Sequence, residues 1–585
     1  MRIPDIRMRE PEREEIRTFF GLNVMPSAKQ GESRDEENVS SRLFPFLAPR
    51  QDAVRFEREG GTCRALIPKD QLVSIIETPG GEYCRLYYAG QETGLLMTPG
   101  EKQTVSMGTK VIIFPDKVWY DTKDGTYGSL DASFTSQSGV SVSFALSDPF
   151  GGEYEYDASP TAPESPADGA AWCDTSVTPN VLYRYSESSD TWAEINSTFV
   201  KISSPGIGQR FRAGDGVTLS GSSQNTLDGA AVIEDAGDDF ILVPGIISSS
   251  TTQDTPFSVT RAAPEIDFCV EHNNRLWACR SGLSRDGEYV NEIYASKLGD
   301  PFNWNAFSGL VSDSYAASVG TDGVFTGCAV YLGTPSFFKE GCVHKVYGTR
   351  PSNFRIVASS CDGVARGASR SVAECCGSLY YLSKSGFMQY DGSYPQQISN
   401  TLGELAPSGA VSCVCDGRVY LFIPGGTRSG LYVYDAMLSV WHRYGESGIE
   451  ATCRAPSGIL AATPEEYINL DSKDAGASAG AFLGDDSGDA DVTSWRFETG
   501  ELTAERDDMY VDKIELTCAV PEGGHLTVEL ITGEDEAMPV VTLSPSVRRT
   551  FTVPVITPRH RRCRLRISGA GQCVVYSISK FVERT

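Results

Sequence analysis

Asn274-Arg-Leu-Trp-Ala-Cys-Arg280, Asn291-Glu-Ile-Tyr-Ala-Ser-Lys-Leu-Gly-Asp-Pro-Phe-Asn-Trp304 and Phe337-Phe-Lys-Glu-Gly-Cys-Val-His-Lys-Val-Tyr-Gly348 follow one another within one stretch of the chain. Each joins aromatic and β-branched residues to a Gly, Asp or Asn turn, the composition of short strands bounded by tight turns. Such segments, strung together, read as the blades of a β-propeller.

The pattern extends in both directions. Upstream, Leu72-Val-Ser-Ile-Ile76, Tyr83-Cys-Arg-Leu-Tyr-Tyr88 and Lys110-Val-Ile-Ile-Phe114 are separated by Pro79-Gly-Gly and Pro99-Gly turns and predict the first blades. Downstream, Leu379-Tyr-Tyr-Leu382, Arg418-Val-Tyr-Leu-Phe422, Leu431-Tyr-Val-Tyr-Asp435 and Ile459-Leu-Ala-Ala462 continue it, with Trp441 closing a blade. Comparable positions recur at roughly 40 to 50 residues, a blade-scale period.

Two regions break the pattern. Residues 198–262 change to small polar residues with valine-rich strands and predict a small inserted β domain, a compact SH3-like or OB-like barrel. Residues 492–585 alternate apolar with polar positions, as in Leu526-Thr-Val-Glu-Leu-Ile531 and Cys563-Arg-Leu-Arg-Ile567, and predict a C-terminal β-sandwich. The fold class expected is therefore all-β: a β-propeller with an inserted small β domain and a C-terminal β-sandwich. The segments are an extended arm at 1–60, propeller at 61–197, insertion at 198–262, propeller again at 263–470, an acidic Gly-rich linker at 471–491 and the sandwich at 492–585.

Composition narrows the function. The chain has 585 residues, 77 acidic against 51 basic, a formal charge of −26. That balance repels nucleic acid from most of the surface and excludes a tight DNA binder, although it suits a channel through which DNA slides without sticking. Met1 to Arg17 mixes Arg with acids and has no apolar signal core, and runs such as Val111–Phe114 are too short to span a bilayer, so a soluble chain without a membrane-spanning segment is expected. The 16 cysteines are scattered through apparent strands and read as buried free thiols.

Motifs for chemistry are few. The five His, at 272, 344, 442, 525 and 560, form no His-x-His or His-Glu-x-x-His pair. Gly476-Ala-Ser-Ala-Gly480 matches a nucleophile elbow formally but has no strand ahead of it. The acids of 485–491 lack the spacing of a Ca²⁺ loop, and Glu187–Trp192 lacks the glycine of a sialidase box. No catalytic residue, cofactor or metal site is expected, and the chain is expected not to be an enzyme.

Ser296-Lys-Leu-Gly-Asp-Pro-Phe-Asn-Trp304, in its propeller context, resembles the tail nozzle or hub β-propeller proteins of short-tailed bacteriophages, also called packaged-DNA stabilisation proteins. The resemblance implies a virion structural protein in the tail, assembled in the host cytoplasm. It further implies a homo-oligomeric ring, a hexamer, contacting the portal adaptor and other tail proteins, with transient passage of dsDNA and no sequence-specific binding. Phe44, Pro45, Phe46 and Pro49 of the arm are subunit-interface candidates, since a proline-bounded segment is suited to clamp a neighbour. Arg559, Arg561, Arg562, Arg564 and Arg566 are candidates for contact with DNA or an acidic neighbour, against an edge strand with a basic outer face. The alternatives are a distal tail or receptor-binding protein recognising host glycan, and a glycan-binding or glycan-active β-propeller.

Overall fold

The computed structural model describes residues 12–584 apart from 225, 285–286, 486, 504–508, 522–523, 533–535 and 556–561. Among these residues, seven antiparallel sheets form the blades of a propeller: residues 62–97, 103–129, 268–318, 325–360, 373–397, 411–444, and a last sheet built on 451–470. Inner strands of neighbouring blades lie side by side. The ring is closed by the early strand Ala53–Glu57, which pairs with Glu466–Leu470 in blade seven (Tyr467 opposite Phe56, Asn469 opposite Val54). An early strand thus completes a sheet begun some four hundred residues later, so blade seven cannot form until both parts of the chain are present.

Blade strands are buried on both faces because each sheet is sandwiched between two others. Ser378–Ser383 is buried throughout and Arg418–Ile423 at all but its first residue. That is why these segments read as continuous apolar runs rather than alternating ones. In blades three to six the hairpins joining first and second strands use tight turns with left-handed backbone at both central positions, as at Asp416-Gly417 (φ +50° and +74°), which match the twist of the paired strands.

The remaining β structure departs from the expected boundaries. The inserted body runs from Ala132–Thr135 to Ser258–Arg261, not from 198, because its strands cross-pair: Val142–Ser147 with Phe199–Ser203, and Ala132–Thr135 with Ser258–Arg261. Sheets of four, five and four strands share one core around Phe144, Ile202, Ile241 and Phe257, so the body is larger than one small barrel.

At the other end of the chain, two sheets make the sandwich, with Ile514, Leu526, Leu565 and Ile567 among its core residues. Here alternation is visible, as in Arg562–Ala570. The sandwich also takes strands from the supposed arm: Glu12–Ile16 pairs with Val574–Arg584, and Ser33–Glu37 with Ser494–Thr499. Residues 471–491 are not a free linker either. They contain the helix Ala477–Leu483, and Asp489–Asp491 pairs with Ala53–Glu57 at the edge of blade seven. No helix of the described residues is long and apolar enough to cross a membrane.

Candidate functional site: an axial cavity and a clamped loop

Inner strands run from one end of the propeller to the other, so their first residues gather at one mouth. A cavity of about 710 Å³ opens there, lined from blades two to six by residues including Glu101, Lys102, Asp267, Arg280, Ser369 and Arg370. Its carboxylates are held by cations and hydroxyls. Arg280 donates to Asp267 at 2.6 Å, and the Ser281 amide and hydroxyl donate to the other oxygen at 2.7 and 3.0 Å. Ser281 in turn accepts from the Phe325 amide at 2.9 Å, tying blade three to blade four. Arg64 bridges Glu101 at 2.9 Å, and Arg370 reaches it at 3.9 Å while donating to the Glu450 carbonyl at 3.0 Å.

Behind the rim, Lys102 is fully buried against Asp116 at 2.5 Å. Burial pushes the Asp116 carboxyl up, but hydrogen bonds from Lys102 and Thr98 outweigh it and hold the group below its ordinary value. Glu77 is lowered chiefly by the hydrogen bond from Arg64, then by the Gly100 amide. The mouth presents guanidinium and hydroxyl donors beside the carboxylates of Glu101 and Asp267, a surface able to hydrogen-bond a polyhydroxylated or anionic group. Among the described residues no group of three or more His, Cys, Asp and Glu is placed to hold a metal ion.

The loop at the heart of the propeller pattern lies at the opposite end of blade three and is a joint. Trp277 and Trp304 are each 3% exposed. Arg275 is buried and spans the loop, donating to the carbonyls of Ser296, Asp313 and Val311 at 2.6 to 2.7 Å. Asn303 is wholly buried and couples the loop to the inserted body: its carboxamide donates to Asp215 (2.9 Å) and Asp300 (2.6 Å) and accepts from the Gly216 amide (3.0 Å). Lys297 donates to the Gly214 carbonyl at 2.7 Å, and Arg261 pairs with Asp215 at 2.5 Å. The sequence pattern shows a turn here; that its Asn and Lys grip a segment some eighty residues earlier has no local signal.

The arm candidates pack on their own chain. The Phe19 amide donates to the Pro45 carbonyl at 3.0 Å, Phe46 meets Tyr576 edge-on at 5.0 Å, and Pro49 pairs with Val39. Phe44 remains 37% exposed. Of the basic run, Arg559 and Arg561 lie outside the described residues. Arg564 and Arg566 both bond Glu498, and Arg566 also reaches Glu529 at 3.7 Å, while Arg562 is exposed with Glu501 at 3.9 Å. Acids of the sandwich thus answer the three described arginines of that run.

No family model and no curated protein matches the sequence. Among solved structures, the chain is similar to the phage phi92 endosialidase (9% identity, 78% of this chain and 74% of that one, TM-score 0.24). It is also similar to an exo-β-1,3-galactanase from Phanerochaete chrysosporium (10% identity, 53% and 95%, TM-score 0.20). A third is a family 43 arabinoxylan arabinofuranohydrolase from Bacillus subtilis (11% identity, 71% and 95%, TM-score 0.16). These are β-propeller glycoside hydrolases and an endosialidase, not nozzle or hub proteins. They overturn the expectation that the chain is not an enzyme, which is withdrawn. At such values the likeness carries no substrate, residue or reaction onto this chain. The chain is an all-β protein in which a β-propeller carries an inserted β body and a C-terminal β-sandwich.

Proposed function

We propose that the chain is a structural protein of a bacteriophage tail, of the hub or nozzle type, working as a ring of copies. The observation that carries this reading is an apolar patch on the propeller end opposite the cavity. Leu332, Tyr394 and Met437, 67%, 65% and 79% exposed, stand on hairpin turns of blades four, five and six. The turns that carry them adjoin from blade to blade: a Cβ built at Gly392, two residues before Tyr394, would meet Leu332 of blade four, and one at Gly417 of blade six would lie 3.7 Å from Met437 and 3.6 Å from the exposed Cys376 of blade five. A patch of this kind marks a surface made for another protein. The resemblance of residues 296–304 to nozzle proteins supports the hub or nozzle type. The −26 charge fits a wall that lets a polyanion pass without adhesive contacts. Mass photometry tests the ring: oligomers for the native chain, alone or with its tail partners, and monomers for Leu332→Glu/Met437→Glu. A native chain that stays monomeric both alone and on assembled tails rejects it.

The axial cavity favours a second reading, a glycan-binding or glycan-active propeller. Its support is the convergence of Arg280, Arg370 and Ser369 on a cavity of about 710 Å³, within the size range of small-molecule sites. Binding and hydrolysis assays on an oligosaccharide panel, repeated with Arg370→Ala, test it. No bound or cleaved glycan, or binding and cleavage indifferent to that substitution, counts against it.

A further inference from the structure

One sheet of the inserted body has a face that neither reading uses. Its strands run Tyr156–Ser159, Ala171–Asp174, Val181–Ser186 and Thr191–Glu194, in that spatial order. Ala171, Cys173 and Leu182 point into the body's core. Side chains alternate along a strand, so their neighbours point the other way. Register then sets Asp157, Trp172, Tyr183 and Glu194 in one row across all four strands of the outer face. In the next row Tyr185 stands opposite Trp192.

The rings form a continuous cluster: Trp172 stacks on Tyr183 at 5.3 Å and meets Trp192 edge-on at 5.6 Å, and Trp192 lies 5.3 Å from Tyr185. Trp172 is anchored, its Nε1 donating to the Ser159 carbonyl at 3.1 Å, and the Tyr185 hydroxyl donates to Asp190 at 2.7 Å. Tyr183, Tyr185 and Trp192 keep part of their surface in solvent. Asp157 and Glu194, at the two ends of the aromatic row, are exposed, and among the described residues no side-chain hydrogen bond or ion pair engages either.

We propose that this face is a carbohydrate platform for neutral pyranosides. Ionised carboxylates only accept hydrogen bonds. A ligand that satisfies both ends of the row must therefore bring donors at its edges and a flat apolar surface between them. The row crosses three strand spacings, roughly 14 Å, more than one ring spans, and a short neutral oligosaccharide has that form, with C–H groups on its ring faces and hydroxyls around their rims. Rigid aromatic anchors give it contact area at little ordering cost. The carboxylates turn away nucleic acids and acidic sugars, and a proline-rich peptide, the other common partner of aromatic grooves, brings no donors from its ring face. The platform lies on the inserted body, outside the axial cavity, and does not depend on either function proposed above.

The test uses the full chain on an array of neutral glycans, followed by calorimetric titration of the best-binding oligosaccharide. Trp192→Ala weakens binding at least tenfold, the loss of roughly one aromatic contact. Asp157→Asn/Glu194→Gln, which leaves the ring cluster untouched, weakens it about fivefold with an unchanged melting temperature. The proposal is overturned by any of three results: no neutral glycan bound at about 1 mM, binding that survives both variants or is lost instead in Arg370→Ala, or preference for a polyproline decapeptide.

Discussion

Asn303 tests the joint between the propeller and its inserted body. In Asn303→Ala the buried Gly216 amide loses its acceptor and one Asp215 oxygen loses a donor, while Asp300, at the partly exposed rim, recovers water. Each buried polar group left without a partner costs about 1 to 3 kcal/mol. Asp215 keeps its bond to Arg261 and so sits at the low end of that range. The sum is about 3 kcal/mol, which at 1.4 kcal/mol per tenfold is on the order of 10²-fold in a local opening equilibrium. Opening of the joint is a local event that need not move a global midpoint. Hydrogen exchange at the amides of residues 214–217 reads it directly. Exchange there should accelerate about a hundredfold while the sandwich amides of 563–569 keep their protection. Acceleration below about fivefold would refute the idea that Asn303 carries the joint.

Trp277→Ala or Trp304→Ala should each lower stability by about 3 to 5 kcal/mol through cavity formation, read as a fall in melting temperature. Cys376 is the one exposed cysteine, so Ellman's reagent should label one thiol quickly in the native chain and all 16 after denaturation; several fast thiols would count against the packing described. Burial pushes Asp121 up, but Lys110, Thr109 and the Lys123 amide outweigh it and bring it to about 2, while Asp474, held mainly by Ser478, also lies at about 2. Unfolded aspartates titrate near 3.9. The stability these groups contribute is complete above about pH 4 to 5 and is lost as pH falls toward 2, so the urea midpoint should drop between pH 5 and pH 2.5. A flat or rising midpoint contradicts the assignment.

Legibility in the sequence followed the range of the interactions. Continuous apolar runs such as Leu379–Leu382 announced strands buried on both sides, and the alternation of Cys563–Ile567 announced a sheet with one wet face. Both are local signals. The arm did not read as part of two other bodies because Glu12–Ile16 finds its partner near residue 580 and Ala53–Glu57 finds its own near 467. The acidic, glycine-rich composition of 471–491 hid a short helix and an edge strand, whose support comes from blade seven rather than from propensity. The insertion's true start at Ala132 was masked because its first strands resemble blade strands in composition and differ only in what they pair with. At the mouth, Asp267 and Arg280 carry no motif. They meet because two strands of blade three are paired in register, and Arg370 joins them from blade five through ring closure alone.

Whether this propeller is a building block of a phage tail is tested most directly by cryo-electron microscopy of tailed particles made with the tagged chain. A closed ring of copies in the tail is expected, with Leu332, Tyr394 and Met437 at a protein–protein contact and a lumen wide enough for a duplex roughly 20 Å across. Particles without density for the chain, or a single copy set away from the tail axis with those side chains in solvent, would contradict it.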